Sequence, residues 1–137
     1  TDHDSFILFN CYFPNTGRLT DEAKENKKRF QILLECTARK YFESGRKVIV
    51  VGDVNIVKDA IDLYDATRLL KGDEGCMLPF ERNWLKAIVR GGDRALFFDA
   101  FRVHHATEER NYTYWSTYKQ LRPLNDGWRI DYALLTE

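Results

Sequence analysis

Apolar residues fall into a few short runs, and the spacing inside each run assigns it an element. The run "SFILFNCYF" (5–13) reads as a strand, and "FPNTGR", with Pro14, Asn15 and Gly17, carries the turn chemistry that ends it and opens a loop. From about Asp21 to Ser44, Phe30, Leu33, Leu34, Ala38 and Tyr41 recur at helical spacing. Acidic residues stand early in that stretch and Gly45 lies just past it, which predicts a helix that buries this face. In "RKVIVVGDVN" (46–55), Val48, Ile49, Val50 and Val51 are β-branched and uninterrupted, the pattern of a strand buried on both faces. The order is therefore strand, loop, helix, strand.

The second half is less regular. Residues 58–78 are mixed and turn-prone, and "PFERNWLKAIV" resumes a short amphipathic helix. "LFFDAF" reads as a short strand or extended stretch, followed by a polar link, and "WRIDYALLT" is a last strand with Asp131 set between apolar neighbours. No repeat occurs, and no linker is long enough to divide the chain.

The strand over 46–55 ends on polar groups that its core has no use for. Side chains two apart on an extended chain point the same way, so Asp53 and Asn55 are expected to project together from the strand's end, a carboxylate beside an amide. Asp53 after Gly52 equally suits a turn cap, Asp131 an ion pair with a neighbouring arginine, and Tyr12 a core position.

Composition narrows the class. The chain has 137 residues, 44% hydrophobic and 31% charged, which fits one folded α/β unit and excludes disorder. It opens on Thr1 rather than Met, close to an apolar run, as expected of a piece of a longer protein. No apolar stretch approaches the roughly 18 residues that span a bilayer, so no membrane partner is expected, and the setting is read as intracellular, nuclear in a eukaryote. Cys11, Cys36 and Cys76 share no zinc or disulfide spacing and are read as reduced thiols. With 21 basic and 21 acidic residues there is no global basic field, and any nucleic-acid binding must come from a local patch.

Taken in order, "CYFPNTGR", "VIVVGDVN", "IDL", "FERNW", "FFDAFR", "NYTYWSTY" and "LRPLNDGWRIDYALL" resemble the second half of an exonuclease III-type apurinic/apyrimidinic (AP) endonuclease, within the endonuclease/exonuclease/phosphatase superfamily. The likeness covers nearly the whole chain. GDVN alone is shared with superfamily phosphatases and retrotransposon endonucleases; "GWRIDY", whose Trp128 follows Trp115 by thirteen residues, is specific to the repair branch. Lys58, where the family often has histidine, and the "ERNW" helix lean towards the second eukaryotic, Apn2-like branch.

The resemblance implies an α/β (α+β) fold, part of a four-layer α/β sandwich in which two mixed or mostly antiparallel sheets pack face to face with helices outside. Residues 1–137 would be the carboxyl-side portion of a single such domain, incomplete at both ends. It implies Mg²⁺-dependent phosphodiester hydrolysis 5′ to abasic sites, with Mn²⁺ as the alternative ion and 3′–5′ exonuclease or 3′-phosphodiesterase activity as further outcomes. The DNA partner is an abasic or 3′-blocked duplex. By the same resemblance Asp53 orients or deprotonates the water, Asn55 bonds the attacked phosphate, and the two together serve as ligands of a second metal position. Tyr12 donates to the phosphate as charge builds, and Asp131 holds a catalytic histidine from a later segment. Asn15 and Arg18 touch the DNA backbone, while Tyr114, Trp115 and Trp128 wall the pocket for the baseless sugar. Asp62 of "IDL" is expected in a structural ion pair, and His104 and His105 are expected to be exposed.

The family's metal-binding glutamate and closing Asp-His pair fall outside the chain, so alone it is expected to be marginally stable and inactive on abasic DNA. Two other readings stand beside this one. The chain could belong to a superfamily member with another substrate, a retrotransposon-type endonuclease or a phosphatase, or it could be a non-catalytic binding fragment.

Overall fold

Three of the apolar runs pair side by side in the middle of one mixed sheet. The computed structural model describes residues 1–137. Its elements, in chain order, are β1 (Asp2–His3), β2 (Phe6–Tyr12), α1 (Asp21–Glu43), β3 (Lys47–Asp53), α2 (Arg68–Lys71), α3 (Pro79–Ile88), β4 (Phe98–Asp99), α4 (Ala100–His104) and β5 (Asp131–Leu135). The strands stand in the order β1-β2-β3-β5-β4. β2 and β3 run parallel with α1 as their crossover, and β5 lies antiparallel to both β3 and β4. The strand–loop–helix–strand reading of the first half matches this unit.

Register and alternation divide the sheet into two unlike faces. Ile7, Val48, Val50, Tyr132 and Leu134 share one face and are all buried. Helices α1 and α3 cover it with Leu34, Ala38, Trp84, Leu85 and Ile88, which belong to the same apolar cluster. Each large apolar side chain buried there contributes roughly 1.5–3 kcal/mol. Leu8, Ile49, Val51, Ala133 and Leu135 point the other way and are half-buried. Continuous β-branching in β3 predicted cover on both faces; within this chain only one face is covered.

Helix α1 also differs from expectation. Thr20 caps it by accepting from the Ala23 N–H, and Leu34 and Ala38 are buried as the spacing predicts. Phe30 is only half-buried, Leu33 and Tyr41 are exposed, and the rest of the inner row is Lys27, Gln31 and Glu35. The stripe is rotated because these polar ends have partners: Lys27 bonds backbone carbonyls, and Glu35 accepts from the Trp84 indole and Arg94.

The "LFFDAF" stretch is extended only at Phe98–Asp99. The Asp99 carboxylate then accepts from the Arg102 N–H and starts α4, so "AFRVH" is helical rather than a strand followed by a polar link. His104 ends that helix and is exposed. His105 is not fully exposed: its ring stacks on Phe101 at 4.7 Å and its Nδ1 meets Glu108 at 2.8 Å.

Candidate active site

The glycine of GDVN has a steric cause. Gly52 has φ of 116°, and a Cβ there would lie 2.3 Å from the Cys11 carbonyl oxygen of the neighbouring strand. Only glycine fits this conformation and approach. It lets β2 and β3 stay paired up to the last residue of each, where Tyr12 stands in register with Asp53 and Asp53 with Asp131. Side chains opposed in this way lie about 4.5–5.5 Å apart at Cβ. The sheet thus brings Tyr12, Asp53 and Asp131 into one row, at one end of its open face, although β3 and β5 lie far apart in sequence.

Asn55 is placed differently from the expectation of a shared direction with Asp53. Strand β3 stops at Asp53, and Asn55 takes the left-handed conformation, φ 52°, with 2% of its surface exposed. Its N–H donates to Asp53 Oδ1 at 2.7 Å, its Nδ2 donates to the Phe13 carbonyl at 3.0 Å, and its Oδ1 accepts from Asn15 Nδ2 at 3.2 Å and from the Cys76 thiol. Asn15 in turn accepts from the Gly17 N–H at 2.6 Å. The loop after β2 and the turn after β3 are therefore locked through this one amide. Arg18, in the same loop, is exposed and makes no ion pair.

Beneath this turn lie charges that the hydrophobic pattern did not reveal. Lys27 is fully buried; its ammonium donates to the Val54 carbonyl at 2.7 Å and the Asn55 carbonyl at 3.1 Å. Burial lowers its pKa to about 8. Glu81, also fully buried, accepts from the Thr16 hydroxyl at 2.6 Å and the Leu78 N–H at 3.0 Å, and burial raises its pKa. The Cys76 thiol is pushed up to about 12 by the same burial, which makes it an inert core group.

Asp53 stands between opposing influences. Burial pushes its pKa up and the Asp131 charge adds to that, while the Asn55 N–H and the Lys27 charge act against it. A raised carboxyl beside a second carboxylate is suited to accepting a proton from water or to sharing a cation.

Tyr114 and Trp128 line a cavity of about 300 Å³ together with Asn15, Leu19, Glu74 and Cys76. Their rings meet at 5.3 Å, and Thr113, next to Tyr114, accepts from the Asp131 N–H at 3.1 Å, tying this wall to the carboxylate row. Trp115 does not line that cavity. Its indole donates to Asn125 at 3.0 Å and its ring packs against Gly127, where a Cβ would lie 2.6 Å from Nε1. Trp115 fastens the loop that precedes β5. The sequence reading missed Arg68, whose guanidinium lies 4.8 Å over the outer part of the wall, on the Trp128 ring, and is held by two bonds of 2.7 Å to Glu74. No local signal marks the stacking of Arg68 on Trp128, since it forms only when the 58–78 segment folds against residues 127–130.

The remaining strong charges are structural. Arg129 bonds Asp62 Oδ1 at 2.8 Å and Asp99 Oδ2 at 2.7 Å, and Arg102 adds 2.6 Å to Asp62. Asp62 is thus in the ion pair expected of it; Asp62, Asp99 and Arg129 are buried and Arg102 is half-buried.

A divalent cation suits the donors in the row. One Asp53 oxygen is used by the Asn55 N–H, the Asp131 carboxylate makes no hydrogen bond inside the chain, and neither has a cation beside it in an ion pair. Mg²⁺ is commonly held by one or two carboxylates with water and substrate phosphate completing its shell. The chain assembles no cluster of three or more acidic, histidine or cysteine ligands, and the Asn55 oxygen is already occupied, so Asp53 and Asp131 are the available oxygen donors.

Comparison with known proteins agrees with this arrangement. Residues 5–137 match the sequence profile of the endonuclease/exonuclease/phosphatase family. The chain is 32% identical over 136 residues to DNA-(apurinic or apyrimidinic site) endonuclease 2 of Schizosaccharomyces pombe, covering 98% of this chain and 26% of that protein. It is 34% identical over 138 residues to the Mus musculus protein of the same name, again covering 26% of it. The chain therefore spans about a quarter of the length of these relatives. Among solved structures, the catalytic domain of Xenopus laevis APE2 superposes with a TM-score of 0.81 at 32% identity, over 95% of this chain and 40% of that one. Fold, site and sequence agree that the chain belongs to the endonuclease/exonuclease/phosphatase family.

Proposed function

We propose that the protein carrying this segment is a DNA-repair nuclease that hydrolyses the phosphodiester 5′ to an abasic site, with 3′–5′ exonuclease or 3′-phosphodiesterase activity as secondary outcomes. Residues 1–137 are then the carboxyl-side portion of its single catalytic domain, acting inside the cell where its DNA lies. The observation that carries this reading is the junction of two features: the Tyr12–Asp53–Asp131 row and, linked to it through Asn15–Asn55 and Thr113–Asp131, a small cavity walled by Tyr114 and Trp128. The names of the relatives, AP endonuclease 2 in each case, support it.

Each residue has a defined task in this mechanism. Asp53, its pKa raised by burial and by Asp131, would take the proton of the attacking water through the oxygen that the Asn55 N–H leaves free. Asn55 has one Nδ2 hydrogen committed to the Phe13 carbonyl; the other, on a residue only 2% exposed, would bond the attacked phosphate once DNA seats against this turn. Tyr12 is 69% exposed at the end of β2 and donates its phenol proton to the phosphate oxygen as charge builds. Asp131, without a partner inside the chain, orients an imidazole. Arg18 and Asn15 hold the DNA backbone, and the walls of Tyr114 and Trp128 receive the flipped sugar, whose extrusion costs least where pairing is already lost. Nucleases of this family generally depend on a divalent metal. Mg²⁺ or Mn²⁺ held by Asp53 and Asp131, the two donors left free, would neutralise phosphate charge and acidify water; Asn55, its oxygen already taken by Asn15, would not be a ligand as the resemblance implied.

The test is cleavage by the full-length protein of a duplex with one abasic site, against the same duplex intact and against an inositol phosphate. Incision only at the abasic site, dependent on added Mg²⁺ or Mn²⁺, is the expected result. Preference for the inositol phosphate would establish the phosphatase reading instead, and tight binding with no cleavage the non-catalytic one.

A further inference from the structure

We infer that Lys27 is a positioning residue for this site: from helix α1 its ammonium fixes the turn that aims the Asn55 amide. The inference rests on the function proposed above for Asn55. Lys27 is fully buried, and lysine is among the residues least often found so. Removing its charge from water costs several kcal/mol, which an apolar side chain in the same slot would avoid. Something must be gained in return, and its contacts say what.

An ammonium has three donors and no acceptor. Two of them go to the carbonyls of Val54 and Asn55, and the group sits 5.3 Å over the ring of Phe13. These are the two segments that Asn55 joins, since its side chain donates to the Phe13 carbonyl and its backbone follows Val54. Asn55 is held in the left-handed region, φ 52°, which asparagine adopts more readily than most non-glycine residues. The Asn55 and Val54 carbonyls turn inward at that point, where water does not reach. Lys27 is the donor that satisfies both at once, and no backbone N–H does so. Swinging either carbonyl outward would rotate the Asn55 amide away from the phosphate side and break the Asn55 N–H bond to Asp53.

The same charge acts on the row above it, opposing the burial that raises Asp53. Glu81 lies near enough to stabilise the ammonium electrostatically, yet it spends its oxygens on Thr16 and Leu78. Lys27 is therefore bound to the turn rather than paired to a carboxylate. An ordinary buried ion pair would show the reverse.

The experiment is a double-mutant cycle in the full-length protein, with Lys27→Met, Asn55→Ala and the double variant assayed on an abasic duplex. Lys27→Met is expected to lower kcat by about 10- to 100-fold with KM within about threefold, the mark of an interaction felt in the transition state. In the Asn55→Ala background it is expected to cost less than about threefold more, because the group it positions is gone. Equal losses in both backgrounds would overturn the inference and leave Lys27 a merely structural residue. Hydrogen exchange supplies a second readout that needs no activity. The Asn55 amide is expected to lose at least about tenfold protection in Lys27→Met while the α1 and α3 amides keep theirs, and unchanged protection would also overturn it. Should Lys27→Met not fold, Lys27→Gln, which keeps a shorter donor, is carried through the same two measurements. If wild-type protein leaves abasic DNA uncut, the proposed function fails while the exchange result still decides what Lys27 does.

Discussion

Two pairs of aspartates stand close together in this molecule and are built in opposite ways. Asp62 and Asp99 are buried around Arg129, which bonds both, and Arg102 completes the charge balance at Asp62. Asp53 and Asp131 face each other in register at the open end of the sheet, and no lysine or arginine forms an ion pair with either. A protein that wanted only stability would not place two carboxylates opposite each other, since like charges in that position are destabilising. The first pair is structure; the second retains unspent electrostatic potential, which is what an ion and a phosphate can use. The separation between fold and chemistry in this chain follows the presence or absence of arginine.

The largest effect tests the clamped pair. Arg129→Met leaves Asp62 and Asp99 buried together without their shared cation, and breaking a buried pair costs about 3–5 kcal/mol. Chemical denaturation of the full-length protein measures it. A loss under about 1 kcal/mol would mean that the clamp is not what holds the strands and turns around Tyr132 together.

That pair also shows how far the sequence could be read. Asp62 was legible as an ion-pair member through the resemblance that "IDL" carries, and Asp53 and Asp131 because each interrupts a strand-like run. Their meeting was not legible, because the β3–β5 register is a non-local pairing that no local pattern encodes. Lys27 was hidden for another reason: at an inward helical position a lysine reads as solvated, and only the folded turn supplies the carbonyls that make its burial tolerable. Asn55 departs from strand alternation because it lies past the strand's last residue, in a left-handed turn. The α4 helix is not legible because Asp99 can end a strand or cap a helix, and the cap it makes is to a backbone N–H, which carries no residue-specific signal.

A smaller effect sharpens the open pair. Asp53 has a folded pKa above the ordinary aspartate value of about 3.9, through burial first and then the charge of Asp131. An acid raised in this way favours the folded state fully at low pH and loses that contribution as pH rises from about 3.9 through the raised value. Asp131→Asn removes one cause of the rise. Measured with a chelator present, the variant is expected to lose less stability between acid and neutral pH than the wild type does. An unchanged slope would mean that the two carboxylates do not sense each other.

The smallest effect concerns the partly exposed pair over Trp128. Arg68 lowers the pKa of Glu74, so this contribution is present above the ordinary glutamate value of about 4.3 and fades as pH falls through the lowered one. Glu74→Gln is expected to cost less than about 1 kcal/mol at neutral pH, as exposed pairs do, and nothing in acid. Thermal melts at both pH values decide this.

The contrast between the pairs is tested most directly by one matched substitution in each, read by two signals in the full-length protein. Asp53→Asn is expected to slow incision of an abasic duplex by about 10² to 10⁴, the usual cost of losing a positioned base, with the melting temperature unchanged or slightly raised. Asp62→Asn is expected to lower the melting temperature clearly while the protein that remains folded still cuts. Cleavage by Asp53→Asn within a few-fold of wild type, or an Asp62→Asn protein that melts normally but cannot cut, would contradict the division between a structural and a chemical pair.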